Sequence, residues 1–174
     1  MTYSDVYESP IGIIITEADD IGITALRIYT DERMARLEKA YGGAETSPST
    51  ESARAWLDEY FGGGIPDFTP PLHMLGTPFR KEVWSIMLEI PYGRTETYGG
   101  IARKIAARRG TCKMSARAVG GAAAHNAIPI IIPCHRVVAA NGKLGGFGLG
   151  TDMKLRLLER EGINGFKRTV KNRA

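Results

Sequence analysis

Cysteine is scarce in this chain of 174 residues: only Cys112 and Cys134 occur, and they form neither a disulfide framework nor a Cys-x-x-Cys metal clamp. A reducing compartment is the simplest setting. Histidine is limited to His73, His125 and His135. The N-terminus lacks the basic, apolar and small-residue regions of a signal peptide, and no apolar stretch approaches the length of a bilayer span. These absences predict a soluble, cytoplasmic protein with no membrane partner. The glycine-rich stretch Asn141 to Gly150 lacks the Gly-Lys-Ser/Thr ending of a Walker loop, which argues against nucleotide hydrolysis. A net charge of +4 and a pI near 9.1 permit nucleic-acid binding without requiring it.

The chain is long enough to bury a proper core as one domain or two small ones. Its pattern predicts an α+β fold: a small N-terminal α/β domain over residues 1–72, then a mostly helical C-terminal domain over 73–174 containing a helix-turn-helix. Ile11 to Thr16 and Ile21 to Tyr29 are β-branched runs separated by Ala18-Asp19-Asp20, a hairpin signal. Helices are expected over 31–41, with Met34 and Leu37 inward, and over 49–61, with Ala53, Trp56, Leu57, Tyr60 and Phe61 on one face. Phe68-Thr69-Pro70-Pro71-Leu72 reads as an extended linker. Beyond it, Thr77 can cap a helix with Pro78 at its first position, and Pro91-Tyr92-Gly93 ends that helix.

Two further helices are expected over 97–107 and 115–126, the second built of small residues. From Arg94 to Arg117 there are seven basic residues (94, 103, 104, 108, 109, 113 and 117) and a single carboxylate, Glu96. That asymmetry suits phosphate contact, although an ordinary solvated face has the same look. A Gly/Ala helix has weak intrinsic propensity, but its small side chains let the backbone lie close to a flat or grooved partner. The last eleven residues, with Lys167, Arg168, Lys171 and Arg173, read as a basic end.

The stretch that organises the chain is Ile130 to Val138, Ile-Ile-Ile-Pro-Cys-His-Arg-Val-Val. An unpaired cysteine after an apolar run is often no more than a small buried hydrophobe. Pro133, however, cannot continue a central strand, so the chain is expected to turn there and expose Cys134. His135 and Arg136 follow immediately, and cations beside a thiol lower its pKa toward the reactive thiolate.

Pro133-Cys134-His135-Arg136-Val137-Val138 resembles the active-site signature of the O6-alkylguanine-DNA alkyltransferases, the suicide DNA-repair proteins also called methylated-DNA–protein-cysteine methyltransferases. The resemblance extends from Ser9-Pro10-Ile11-Gly12 through Ile90-Pro91-Tyr92-Gly93 and Ala116-Arg117-Ala118-Val119-Gly120-Gly121-Ala122 to Glu161-Gly162. It implies irreversible, stoichiometric transfer of an alkyl group from O6-alkylguanine, with O4-alkylthymine a further candidate substrate, to Cys134 after base flipping. The partner implied is double-stranded DNA, bound by a monomer in the minor groove without sequence preference. No cofactor is implied, because the alkyl group comes from the lesion. Some relatives hold a structural zinc in the N-terminal domain, but no cysteine precedes Cys112 and no metal is expected.

Residue by residue, the resemblance makes Glu161, His135, a water and Cys134 a proton relay. Tyr98 becomes the acid that assists the departing purine, and Asn126 the tie between the helix-turn-helix and the active-site segment. Ser115, Arg117, Ala118, Gly121 and Ala122 fall on the DNA-binding helix, with Arg117 filling the gap left by the flipped base. Pro129, Val137, Phe147 and Gly148 match the substrate pocket, and Phe147 stands where relatives usually carry tyrosine. The alternative is a non-catalytic lesion sensor, which the presence of Cys134 opposes. A thiol hydrolase unrelated to DNA would need His73 or His125 folded onto Cys134, and neither lies in a recognisable signature.

Overall fold

A computed structural model describes the whole chain except residues 32, 35, 37–44 and 167–174. The helix expected over 31–41 and the basic end lie largely outside the described residues. The chain divides into two compact units, residues 1–75 with 127–131, and residues 76–126 with 132–166 and the tail beyond.

The first unit is built on an antiparallel sheet of β1 (Tyr3–Ser9), β2 (Gly12–Ala18) and β3 (Ile23–Tyr29), in the order β1-β2-β3. The expected hairpin is β2–β3, with Ile14 opposite Ile28 and a register irregularity at Glu17/Ala18. Asp19 shapes its turn by accepting from the Ile21 and Gly22 amides at 2.9 and 3.1 Å. Strand β1 was not expected, because this edge strand buries only Tyr7 and its composition is largely polar. It enters β2 through a tight turn in which Gly12 has φ +129°, and a Cβ there would lie 2.4 Å from the Tyr29 carbonyl oxygen. Helix α1 (Pro48–Phe61) opens with Ser47 and Thr50 capping each other reciprocally, and it buries Ala53, Trp56, Leu57 and Tyr60. Trp56 and Tyr60 stack with centroids 5.2 Å apart.

The expected linker is part of this unit. The Ile23 amide donates to the Pro71 carbonyl and the His73 amide to the Ile23 carbonyl, both at 2.8 Å. His73 Nδ1 also lies 2.6 Å from Asp19 Oδ2. The Leu26 amide donates at 2.8 Å to the carbonyl of Ala127, which draws 127–131 into the first unit. A single boundary near residue 72 therefore describes the division incompletely: unpaired amides of β3 recruit chain from two distant places.

The second unit contains α2 (Pro78–Leu88), β4 (Glu96–Thr97), α3 (Tyr98–Arg109), α4 (Ala116–Ala124), a 3₁₀ turn (Cys134–Arg136), β5 (Val137–Val138) and α5 (Thr151–Arg160). Caps fall where the chemistry of the sequence puts them: Thr77, Thr97 and Ser115 accept from the third residue on, and Gly110 ends α3 at φ +64°. Val83, Trp84 and Met87 of α2, Ile101 and Ile105 of α3 and Val119 of α4 make the core. Trp84 Nε1 donates to the Ala122 carbonyl at 2.9 Å. The two short strands β4 and β5 pair in parallel, Glu96 with Val137 and Thr97 with Val138. Among the described residues no helix is long and apolar enough to cross a membrane.

Candidate active site

The chain turns at Pro133 as expected, and the Arg136 amide closes the 3₁₀ turn onto the Pro133 carbonyl at 2.9 Å. The thiol is not exposed by it. Cys134 retains 8% of its surface, and burial pushes its pKa up to about 11, against smaller lowering influences from the Asn126 hydrogen bond and the Lys154 charge. This reverses the expectation that adjacent cations would hold a thiolate. What surface remains faces a cavity of about 490 Å³ lined by Tyr98, Arg117, Gly120, Cys134, Phe147 and Gly148, among others. Asn126 Nδ2 donates to Cys134 Sγ at 3.1 Å and to the Ile132 carbonyl at 2.9 Å, joining the end of α4 to the thiol segment.

The two residues after the thiol turn away from it. His135 is fully buried, with Nε2 2.6 Å from Glu161 Oε1. Arg136 is buried as well: Nε reaches Glu161 Oε2 at 2.8 Å, Nη2 reaches Oε1 at 3.1 Å, and Nη1 donates to the Ile90 carbonyl at 2.7 Å. The Gly93 amide adds a further donor to Oε2 at 3.2 Å. Burial alone would raise the pKa of Glu161, but hydrogen bonds and charge from His135 and Arg136 bring it down to about 2. Glu161 is thus a carboxylate and can only accept, so His135 carries its proton on Nε2 when neutral. The other ring nitrogen, Nδ1, is buried and has no hydrogen-bond partner among the described residues. Burial lowers the pKa of His135 against the opposing pull of Glu161.

Lys154 is a site residue that the sequence reading missed. It is fully buried, and Nζ donates to the carbonyls of Val137 at 2.5 Å and Gly146 at 3.1 Å and lies 5.9 Å from the Tyr98 ring centroid. Burial lowers its pKa to about 8, and its charge acts on Cys134. The signal was available: in α5 a lysine between Met153 and Leu155, four residues before Leu158 and seven before Glu161, lies on the inward face. Tyr98 is half-buried, and its hydroxyl donates to the Gly146 carbonyl at 3.2 Å; burial and the nearby Cys134 raise its pKa. Gly145 has φ +73°, and a Cβ there would come within 3.1 Å of the Tyr98 ring.

Other expected site residues are placed unevenly. Ser115, Arg117, Ala118 and Gly121 are exposed along α4, whereas Ala122 is buried and faces inward. Val137 is fully buried, its carbonyl already taken by Lys154, and it is absent from the cavity wall; Pro129 is buried in the first unit and is likewise absent from that wall. The basic run is less available than its composition suggested, because Lys104 pairs with Glu96, Arg108 with Glu89 and Arg109 with Glu82 at 3.0, 2.7 and 2.5 Å. Among the described residues no three of His, Cys, Asp and Glu are grouped to hold a metal ion.

Fold and site together define a protein centred on one buried thiol, reached through a cavity whose wall is shared by a helix-turn-helix pair and a glycine-rich loop. Residues 78–163 match the family described as 6-O-methylguanine DNA methyltransferase, DNA binding domain. The chain is 41% identical over 160 residues to a methylated-DNA–protein-cysteine methyltransferase of Methanosarcina acetivorans, covering 92% of this chain and 98% of that protein. A Mycobacterium tuberculosis protein of the same name is 39% identical over 166 residues, covering 92% and 93%. The fold is similar to the crystal structure of Mycobacterium tuberculosis OGT in complex with DNA, with TM-score 0.74, 38% identity and coverage of 91% and 92%. It is also similar to the O6-methylguanine-DNA methyltransferase of Pyrococcus kodakaraensis, with TM-score 0.59, 25% identity and coverage of 93% and 99%. The chain belongs to the methylated-DNA–protein-cysteine methyltransferase family. Its enzyme class is that of a methylated-DNA–[protein]-cysteine S-methyltransferase.

Proposed function

We propose that the protein repairs O6-alkylguanine in duplex DNA by direct reversal, accepting one alkyl group on Cys134 and acting once. The observation that carries this reading is the arrangement at the thiol: Sγ faces a cavity, while a buried imidazole fixed by Glu161 keeps an Nδ1 without a partner among the described residues. A thiol with its pKa near 11 is inert in the free protein and needs a base at the moment of reaction. His135 serves through a bridging water, with its own charge stabilised by Glu161. Sγ then attacks the alkyl carbon, the carbon–O6 bond breaks, and the electron pair leaves with the purine. Tyr98 exchanges its bond to Gly146 for donation to that purine, while Lys154 steadies the charge from below. The product is a thioether, which has no electrophilic carbonyl for water to attack, so the thiol is not regenerated.

The 76–126 and 132–174 unit supplies both DNA contact and transfer. Ser115, Ala118 and Gly121 lie along the exposed face of α4, where small residues admit a minor-groove wall, and Arg117 stands at the cavity mouth to replace the extruded nucleotide. Phe147 walls the base pocket, and the Gly148 amide is available to the lesion oxygen. Binding is by a monomer and independent of sequence, since the minor groove offers little base-edge information.

The test is the intact mass of the protein after mixing with duplex DNA carrying one O6-methylguanine, beside Cys134→Ala. A single stoichiometric gain of about 14 Da, CH₂ for H at sulfur, absent from the variant, is expected. Lesion-selective binding without any gain would make the protein a sensor, and neither binding nor gain would overturn the reading altogether.

A further inference from the structure

We propose that Arg136 is a positioning residue whose charge cancels that of Glu161 and so keeps His135 neutral, able to take a proton at Nδ1. The inference rests on the reading of His135 as acceptor of the thiol proton. It starts from the count of charges among groups buried together. His135, Arg136 and Glu161 are all buried, and the guanidinium spans both carboxylate oxygens through Nε and Nη2. Arg136 is therefore not a neighbour of the thiol that activates it directly; it is the counter-ion of the residue that orients the base.

A buried carboxylate without a partner draws in a proton or a cation. With Arg136 present, Glu161 and Arg136 sum to zero and the imidazole needs no charge to balance them. With Arg136 neutralised, the nearest group that could supply the missing positive charge is His135, whose Nε2 already lies 2.6 Å from Glu161. Imidazolium there would carry a proton on Nδ1, and a protonated Nδ1 cannot accept one from the thiol. The other ionisable groups facing the cluster do not substitute. Lys154, from α5, is held by the carbonyls of Val137 and Gly146, and its charge works against protonation of His135. Cys134 is protonated at rest, and Tyr98, from α3, faces Cys134. Three further contacts on the cluster are neutral: the Gly93 amide on Glu161, the Ile90 carbonyl on Arg136, and the Tyr92 ring, 5.7 Å from the guanidinium carbon.

The experiment follows the ring nitrogens of His135 by ¹⁵N-histidine NMR from pH 5.5 to 9, in the wild type, Arg136→Gln and Arg136→Lys, with signals assigned through His73→Gln and His125→Gln. Gln keeps a donor to Glu161 but no charge, and Lys keeps the charge without the fork. In the wild type one N–H and one bare nitrogen are expected at pH 7; an imidazolium there overturns the proposal without any variant. Arg136→Gln should shift His135 toward imidazolium at pH 7, its titration moving to higher pH than in the wild type. The single-turnover methyl-transfer rate should fall about 10- to 100-fold at pH 7 and recover as pH rises. Arg136→Lys should leave His135 neutral and the pH profile in place. A folded Arg136→Gln protein with a neutral His135 and an unshifted profile would reduce Arg136 to a structural residue. Because the NMR readout does not depend on turnover, it decides this question even where the wild type gains no methyl group, an outcome that would instead defeat the proposed function.

Discussion

In the first unit charged side chains pair at the surface, Arg27 with Glu17 and Arg54 with Asp5, above an apolar interior of Ile14, Ile23, Leu26, Leu57 and Tyr60. In the second, His135, Arg136, Lys154 and Glu161 are all buried, and all belong to the segments that carry or face Cys134. Surface pairs gain little, since water screens them and long side chains lose freedom on pairing. Buried ions are costly to desolvate, and a hydrophobic replacement of the same shape is often as stable. Charges kept inside against that cost point to chemistry, and here His135 and Arg136 meet on Glu161 while the charge of Lys154 acts on Cys134. The first unit stabilises a fold; the second gives up some stability to hold an imidazole and a carboxylate in place.

The contrast is broken most directly at Glu161. Glu161→Ala would leave Arg136 buried without its partner and should cost about 3–5 kcal/mol in denaturant unfolding. A loss comparable to that of a surface pair would remove the distinction between the units.

Acid should have an effect of nearly the same size. The carboxyl of Glu161 falls from an ordinary 4.5 to about 2, equivalent to about 3 kcal/mol at 1.4 kcal/mol per unit. A depressed carboxyl contributes fully above pH 4.5, and the contribution is lost as pH falls toward 2. Lys154 gives a slope of the same sign at the alkaline end, although its shift costs stability at neutral pH where that of Glu161 adds it. Its pKa drops from 10.5 to about 8, so between those values the unfolded chain binds more protons and stability rises with pH. Cys134, raised from 9.0 to about 11, works against that gain above pH 9. Urea unfolding between pH 7 and 10.5 in a Cys134→Ala background isolates Lys154, and Lys154→Met in the same background should flatten the curve.

A smaller effect is expected at Trp84→Phe, which leaves the Ala122 carbonyl without its indole donor and should cost about 1–2 kcal/mol, read from the denaturation midpoint. Arg27→Ala marks the lower end. Its pair with Glu17 is largely exposed, and the change in unfolding free energy should stay below about 1 kcal/mol. A larger loss there would mean that the first unit also depends on its charges.

Much of this was legible in the sequence where the determinants are local. Thr77, Thr97 and Ser115 cap their helices because a side-chain oxygen need only reach an amide three residues on, and Pro133 turns the chain because its ring denies the strand a donor. The Pro-Cys-His-Arg run identified the family for the same reason, since its information lies in consecutive residues. What the sequence could not show was where those residues point. Cys134 is sheltered rather than exposed, and Arg136 serves Glu161, 25 residues on, rather than the adjacent thiol. Lys154 reaches back 17 residues to the Val137 carbonyl, and residues 127–131 belong to the unit built on the sheet at the start of the chain. Caps and turns are decided within four or five residues. Burial and charge pairing depend on which distant segments share a volume, and only the packed fold decides that.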